Sequence, residues 1–271
     1  MLVRHAAALA AVLAVACCAP APDEEPTPVL VASADLRLPL DEYLLSPGQL
    51  RELGRARVAM TRECMRGAGF DFPPAEERVD VGLTSWNERR YGITDEALAA
   101  VDGYGLGARD PAARPSTPRP EPTPEQRAAL EGADGCIERV EAGQGRDEPS
   151  GVDRELPLRL ANESFTRSRG APRVRAVVEA WSECVRARGF DSTDPLALAS
   201  DDRFAGPVTP AEVAAATADV ECKRSTNLVG TWFAEERSIQ RDLVAANRAA
   251  LASVREANAA DVDRARRALG P

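Results

Sequence analysis

Four cysteines, repeated in kind and in spacing, constrain this chain more than any other feature. "CMRGAGFD" at residues 64–71 returns as "CVRARGFD" at residues 184–191, 120 positions later (184 − 64). A second pair follows: "TPEQRAALEGADGC" from Thr123 and "TPAEVAAATADVEC" from Thr209 both place cysteine 13 residues after threonine (136 − 123 and 222 − 209). Each stretch reads as helix punctuation. Gly69 and Gly189 suit the left-handed residue just past a helix end, where the following Phe70 and Phe190 fold back onto Met65 and Val185. Arg66, Arg186 and Arg188 fall in the last turns, where the helix dipole favours cations. Thr123 and Thr209 are N-caps, Pro124 and Pro210 suit the first helical position, and Gln126 and Glu212 complete capping boxes. Val208 and Val213 add a hydrophobic staple in the second copy. The copies are not perfect, since the Ala-Asp pairs at Ala133 and Ala218 are out of register by one.

Each unit is therefore one helix that ends in Cys-x4-Gly-Phe and one that begins at Thr-Pro. Four cysteines allow three connectivities. A duplicated unit closes most simply within itself, so Cys64 is expected to join Cys136, and Cys184 to join Cys222. On the chain-entropy account each bridge would stabilise by roughly 4 kcal/mol.

The N-terminus sets the compartment. "MLVRHAAALAAVLAVACCAP" has one early arginine, an apolar stretch and small residues before Cys17, the layout of an export signal over residues 1–16. Its apolar run is shorter than the roughly 20 residues a bilayer requires. "AVAC" resembles a bacterial lipobox, with Ala14 where leucine is usual, so Cys17 is the expected lipidation site and the membrane a partner through that lipid. Residues 17–34 then form a Pro-rich acidic linker that spaces a domain from a surface. Cys18 is left as an additional thiol.

Composition excludes several functions. With 43 acidic against 34 basic residues the net charge is −9, which opposes nucleic acid and anionic lipid alike. The one histidine, His5, lies in the signal. Loss of the signal removes imidazole-activated nucleophiles and histidine metal sites together. Catalysis would rest on carboxylates, tyrosine or Lys223, the single lysine.

Periodicity is helical along most of the mature chain. Val174, Val177, Val178, Trp181 and Val185 share one face, opposite Arg173, Arg175, Glu179 and Glu183. The first-copy helix, about Pro47 to Ala68, is less regular. Val229, Trp232, Ile239, Leu243, Ala246 and Ala250 predict a long final helix along a bundle, with an alanine-rich end that frays or meets another molecule. The fold expected is all-α: a disulfide-stapled bundle with a first unit at 35–150 and a second at 151–271. Within the first, residues 70–122 form an aromatic excursion that ends in the Pro-rich "DPAARPSTPRPEPTP", which reads as extended.

At "WSECVRARGF", "RRYGITDE", "LRLPLDEY" and "DVECKRSTNLVGTWFAEER" the chain resembles a group of uncharacterised secreted lipoproteins from actinobacteria. The resemblance spans nearly all of the mature chain. It implies an exported helical domain with paired cysteines and implies no activity.

Candidate chemistry is sparse. Asp80 with Glu88, or Glu236 with Asp242, would suit a carboxylate-dependent cell-wall hydrolase, but nothing in the sequence singles out a pair. "GYGLG" at 103–107 has no preceding strand and no Gly-Lys-Ser, and "DSTDPLALASDD" lacks the ligands of a calcium loop. No metal or other cofactor is expected. A binding surface is best sought in the excursion, at Phe72, Trp86, Arg89, Arg90, Tyr91 and Tyr104, where aromatics and arginines suit a sugar, peptide or cell-surface protein. The competing reading packs those rings into the core. A non-catalytic binding or accessory module is the leading expectation, and the hydrolase its alternative.

Overall fold

Prolines and small polar residues divide the chain into its helices. The computed structural model describes residues 27–29, 33–71, 82–110, 121–143 and 151–270. The signal, Cys17, Cys18, most of the linker, Phe72, Asp80 and most of the Pro-rich stretch lie outside these residues. The helices are α1 (Pro47–Gly67), α2 (Glu96–Asp102), α3 (Pro124–Glu131), α4 (Cys136–Glu141), α5 (Leu156–Arg169), α6 (Pro172–Ala187), α7 (Pro195–Leu198), α8 (Pro210–Thr226), α9 (Leu228–Ala246) and α10 (Arg248–Leu269). A 3-10 turn at Pro39–Tyr43 precedes α1. The protein is all-α: among the described residues the only β pairing is an isolated bridge, Arg90 to Gly92.

The repeated punctuation is present in detail. Gly69 and Gly189 have φ of 85° and 89°. Phe70 donates its amide to Met65 O and Gly69 to Arg66 O, while Phe190 donates to Val185 O and Gly189 to Arg186 O. Each set satisfies two end-of-helix carbonyls and turns the phenylalanine onto the buried residue beneath it. Ser46 and Thr123 form complete capping boxes with Gln49 and Gln126. Thr209 caps α8 by accepting from the Glu212 amide. Glu212 does not return the bond: its Oε1 instead accepts from the amide of Tyr104, 3.1 Å away. Val208 is 47 % exposed and does not act as a staple.

Both expected bridges are formed, Cys64–Cys136 and Cys184–Cys222. They place this domain in an oxidising, extracytoplasmic compartment. No helix among the described residues is long and apolar enough to cross a membrane.

Two helices differ from expectation. The first unit's second helix stops at Gly132, and Cys136 opens a separate helix, α4. Asp134 takes a φ of 57° between them, and a Cβ on Gly132 would lie 2.4 Å from Ala128 O. The glycine pair in "EGADGC" thus produces a corner where the second copy runs on through Cys222. The final helix is long, 22 residues in α10, but the periodic stretch before it is the distinct α9, and the two are divided at Asn247. The alanine-rich end is packed: Leu251, Val254, Val262 and Ala265 are buried on α10, which lies along α1.

The core is shared between the units. Tyr91, from the excursion, stands 5.4 Å from Trp232 between ring centroids, and Phe165 covers Trp232 at 5.2 Å. Val174, Trp181 and Val185 of α6 and Leu228 of α9 complete this cluster. Leu40 joins Leu160, Ala161 and Leu251 in a second cluster. Two described stretches before α1, 27–29 and the 3-10 turn, meet α9. The Pro28 carbonyl lies over Gly230, and the Leu40 amide bonds Gln240 near the other end of the helix.

Candidate binding cleft

Beside the 3-10 turn the surface opens into a cleft of about 600 Å³. Three separate parts of the chain build it. The turn contributes Arg37, Asp41 and Glu42, the loop before α2 contributes Ser85 and Trp86, and α9 contributes Arg237 and Arg241, one turn apart.

Buried polar contacts fix this wall. Asn87 donates to Leu36 O at 3.1 Å and to Asp41 Oδ2 at 2.6 Å, and the same oxygen accepts from the Leu38 amide at 2.8 Å. Burial raises the Asp41 pKa above the usual carboxylate value, against the lowering by Leu38, Asn87, Arg90 and Arg37. Trp86 donates its indole N–H to Leu45 O at 2.8 Å and leaves 41 % of the residue exposed. This bond ties the indole edge to the chain before α1 while part of the ring stays open to the cleft. Ser85 Oγ is buried without a hydrogen-bond partner. Behind the loop, Glu88 accepts from the Thr84 amide and hydroxyl and is paired with Arg109. Burial works to raise the Glu88 pKa, but these donors win and hold it at about 2.

Beneath the cleft lies a closed polar hub. Glu236 is fully buried on α9. It accepts from Arg90 Nε at 3.0 Å, Tyr91 OH at 2.8 Å, Ser164 Oγ at 2.8 Å and Gln240 Nε2 at 3.2 Å. Arg90 also donates to Ala161 O at 2.7 Å and lies over the Phe165 ring. Burial and the Glu236 charge push the Tyr91 pKa well up. Desolvation of Arg90 is outweighed by Glu236, which raises its pKa further. Such a network is held together by its own members, with the Glu236 carboxylate sealed from solvent.

The residues predicted as a surface therefore separate. Trp86 lines the cleft. Tyr91 is fully buried and Arg90 is paired with Glu236, so both belong to the core and not, as expected from sequence, to a binding surface. Arg89 donates to Gly105 O at 2.8 Å, and Tyr104 is half-buried against Phe204 at 5.7 Å, both away from the cleft. Arg37, Asp41, Ser85, Arg237 and Arg241 were missed. Their one signal is the four-residue spacing of the two arginines on α9.

Of the carboxylates proposed for hydrolysis, Glu236 and Asp242 do not converge, and Asp80 lies outside the described residues. Glu88 is held by Arg109, Glu236 is sealed, and Asp242 is exposed six residues further along the same helix. In the cleft, Asp41 turns inward to Leu38 and Asn87, whereas Glu42 faces Arg255 at 3.9 Å. No group of three or more His, Cys, Asp or Glu able to hold a metal occurs among the described residues.

Fold and cleft together define an extracytoplasmic, all-helical, disulfide-stapled module. No family model, no curated protein and no solved structure matches the chain.

Proposed function

We propose that the protein is a lipid-anchored extracytoplasmic binding module, non-catalytic, whose cleft takes an acidic saccharide of the cell envelope. The lipid is carried by Cys17, after removal of residues 1–16. The resemblance to secreted actinobacterial lipoproteins supports this export and anchoring.

One observation carries the reading of the cleft: a solvent-facing Trp86, hydrogen-bonded through its indole N–H, lines the same space of about 600 Å³ as three arginines. That volume is within the range of small-ligand sites. An indole face packs on the flat apolar side of a sugar ring, and guanidinium matches carboxylate in a fixed fork. Each guanidinium carries five N–H donors in a fixed plane.

The test is calorimetric titration of the mature domain with solubilised envelope glycan bearing free carboxylates, alongside the same glycan with its carboxylates reduced to alcohols. Binding is expected only to the acidic form, and Trp86→Ala and Arg241→Ala should each weaken it at least about tenfold, the loss of one well-placed contact. Equal binding of both glycans, or indifference to both substitutions, refutes the reading.

A further inference from the structure

We infer that the corner between α5 and α6 is the face apposed to the membrane, and that the N-terminal tether, seated on α9 at Gly230, holds it there. The inference rests on lipidation at Cys17 and is independent of what the cleft binds.

Glycine inside a helix costs about 1 kcal/mol relative to alanine. Gly230 is the third residue of α9 and is buried. Two neighbours crowd the position: a Cβ there would lie 1.9 Å from the carbonyl oxygen of Pro28 in the tether and 2.4 Å from Oδ1 of the Asn227 side chain. Only a residue without a side chain lets the tether backbone approach so closely. Alongside, Arg173 at the start of α6 donates to Thr27 Oγ1 at 3.3 Å. Two contacts from two helices thus hold the tether where it meets the domain.

The distance to the lipid is short. Ten residues separate Cys17 from Thr27 (27 − 17), and ten residues of extended chain span at most about 36 Å. A tether fixed at Thr27 to Val29 therefore holds its seat within about 36 Å of the lipidated residue, whatever path those ten residues take. The corner between α5 and α6 carries Arg167, Arg169, Arg173 and Arg175, all exposed. Arg167 pairs with Glu163 and Arg169 with Asp194, but guanidinium groups retain further donors for headgroup phosphates. The net charge of −9 averages over this cluster and so conceals it.

α9 serves as a ruler for the opposite end. Arg237 and Arg241 lie seven and eleven residues beyond Gly230, about 10 and 16 Å further along the helix axis and close to the same side of it. The cleft they line is thus displaced along α9 from the tether's seat.

The experiment is hydrogen exchange on the full mature protein in phosphatidylglycerol-containing vesicles, compared with the same chain carrying Cys17→Ser. Mass analysis of the N-terminal peptide first establishes acylation. Peptides covering 27–29 and 167–177 should exchange at least about threefold more slowly in the anchored protein, while those covering 84–86 stay unchanged. In Gly230→Ala the 27–29 peptide should lose protection and the corner its difference from the cleft. The added helix former should leave the melting temperature undiminished, which separates release of the tether from unfolding. Acylation with protection at the cleft, or at neither place, overturns the orientation alone. Corner protection that persists in Gly230→Ala overturns the role of the seat. Absence of acylation overturns the orientation and the anchor together, leaving the cleft reading to its own titration.

Discussion

The amide of Leu40 donates to Oε1 of Gln240 at 3.0 Å across 200 residues of sequence. Gln240 Nε2 donates in turn to Ser164 Oγ at 2.9 Å and to Glu236. One side chain therefore joins the 3-10 turn, α5 and the buried carboxylate. Gln240→Leu preserves apolar bulk but leaves the Leu40 amide unbonded, and should cost about 2–3 kcal/mol. Urea unfolding would measure this. A loss below about 0.5 kcal/mol would show that the relay adds no stability.

Lys223 is buried on α8, donating to Asp219 Oδ2 at 2.8 Å and to Ile93 O at 3.1 Å. Asp219 also accepts from the Trp181 indole at 2.9 Å. Burial lowers the Lys223 pKa and raises that of Asp219, each against the pull of its partner. Lys223→Met strands the carboxylate and should destabilise by about 3–5 kcal/mol, with much of the loss restored by adding Asp219→Asn. Paired melts of the single and double variants distinguish this from simple loss of packing.

Glu88 gives the acid limb of stability its shape. Its pKa is about 2 in the folded protein against an ordinary 4.5. A depressed carboxylate contributes stability that is fully present above the unfolded value and is lost as pH falls from about 4.5 toward 2. With Arg109 partly open to solvent, the contribution should be about 2 kcal/mol, less than the full shift implies. Glu88→Gln should flatten the stability profile across that window and leave its shape unchanged above pH 6, as read by denaturant melts at stepped pH.

The bridges should not be equivalent in what they release. Chain entropy assigns each about 4 kcal/mol for spans of 72 and 38 residues. Cys136→Ser with Cys64→Ser frees α3 and α4, while α1 keeps its packing on α10. Cys184→Ser with Cys222→Ser loosens α6 from α8 at the main aromatic core. Near-ultraviolet dichroism should therefore fall much more in the second pair of substitutions than in the first. Equal change in both would contradict this division.

What could be read from sequence was local. Ser, Thr, Pro and Gly act within one turn, so Thr123, Thr209, Gly69 and Gly189 announced their roles through neighbours three to five residues away. The disulfides followed because those signals repeat. The hub did not follow, since Arg90 and Glu236 are 146 residues apart and carry nothing in their surroundings that pairs them. Arginine next to tyrosine suggested a surface because side-chain type gives no sign of an internal partner. The division of α3 from α4 was written in Gly132 and Gly135, and the register slip beside them was its trace. The cleft was legible only at Trp86. Its arginines come from segments about 200 residues distant, which only the folded chain brings together.

Arg90 and Tyr91, supplied by the first unit, occupy the space around a carboxylate that belongs to the second. A gene fragment encoding residues 151–271 by itself would specify a charged void at the centre of its product. The two units thus depend on each other through one buried charge, so that separating them would leave an acid in one half and its arginine in the other without their partners.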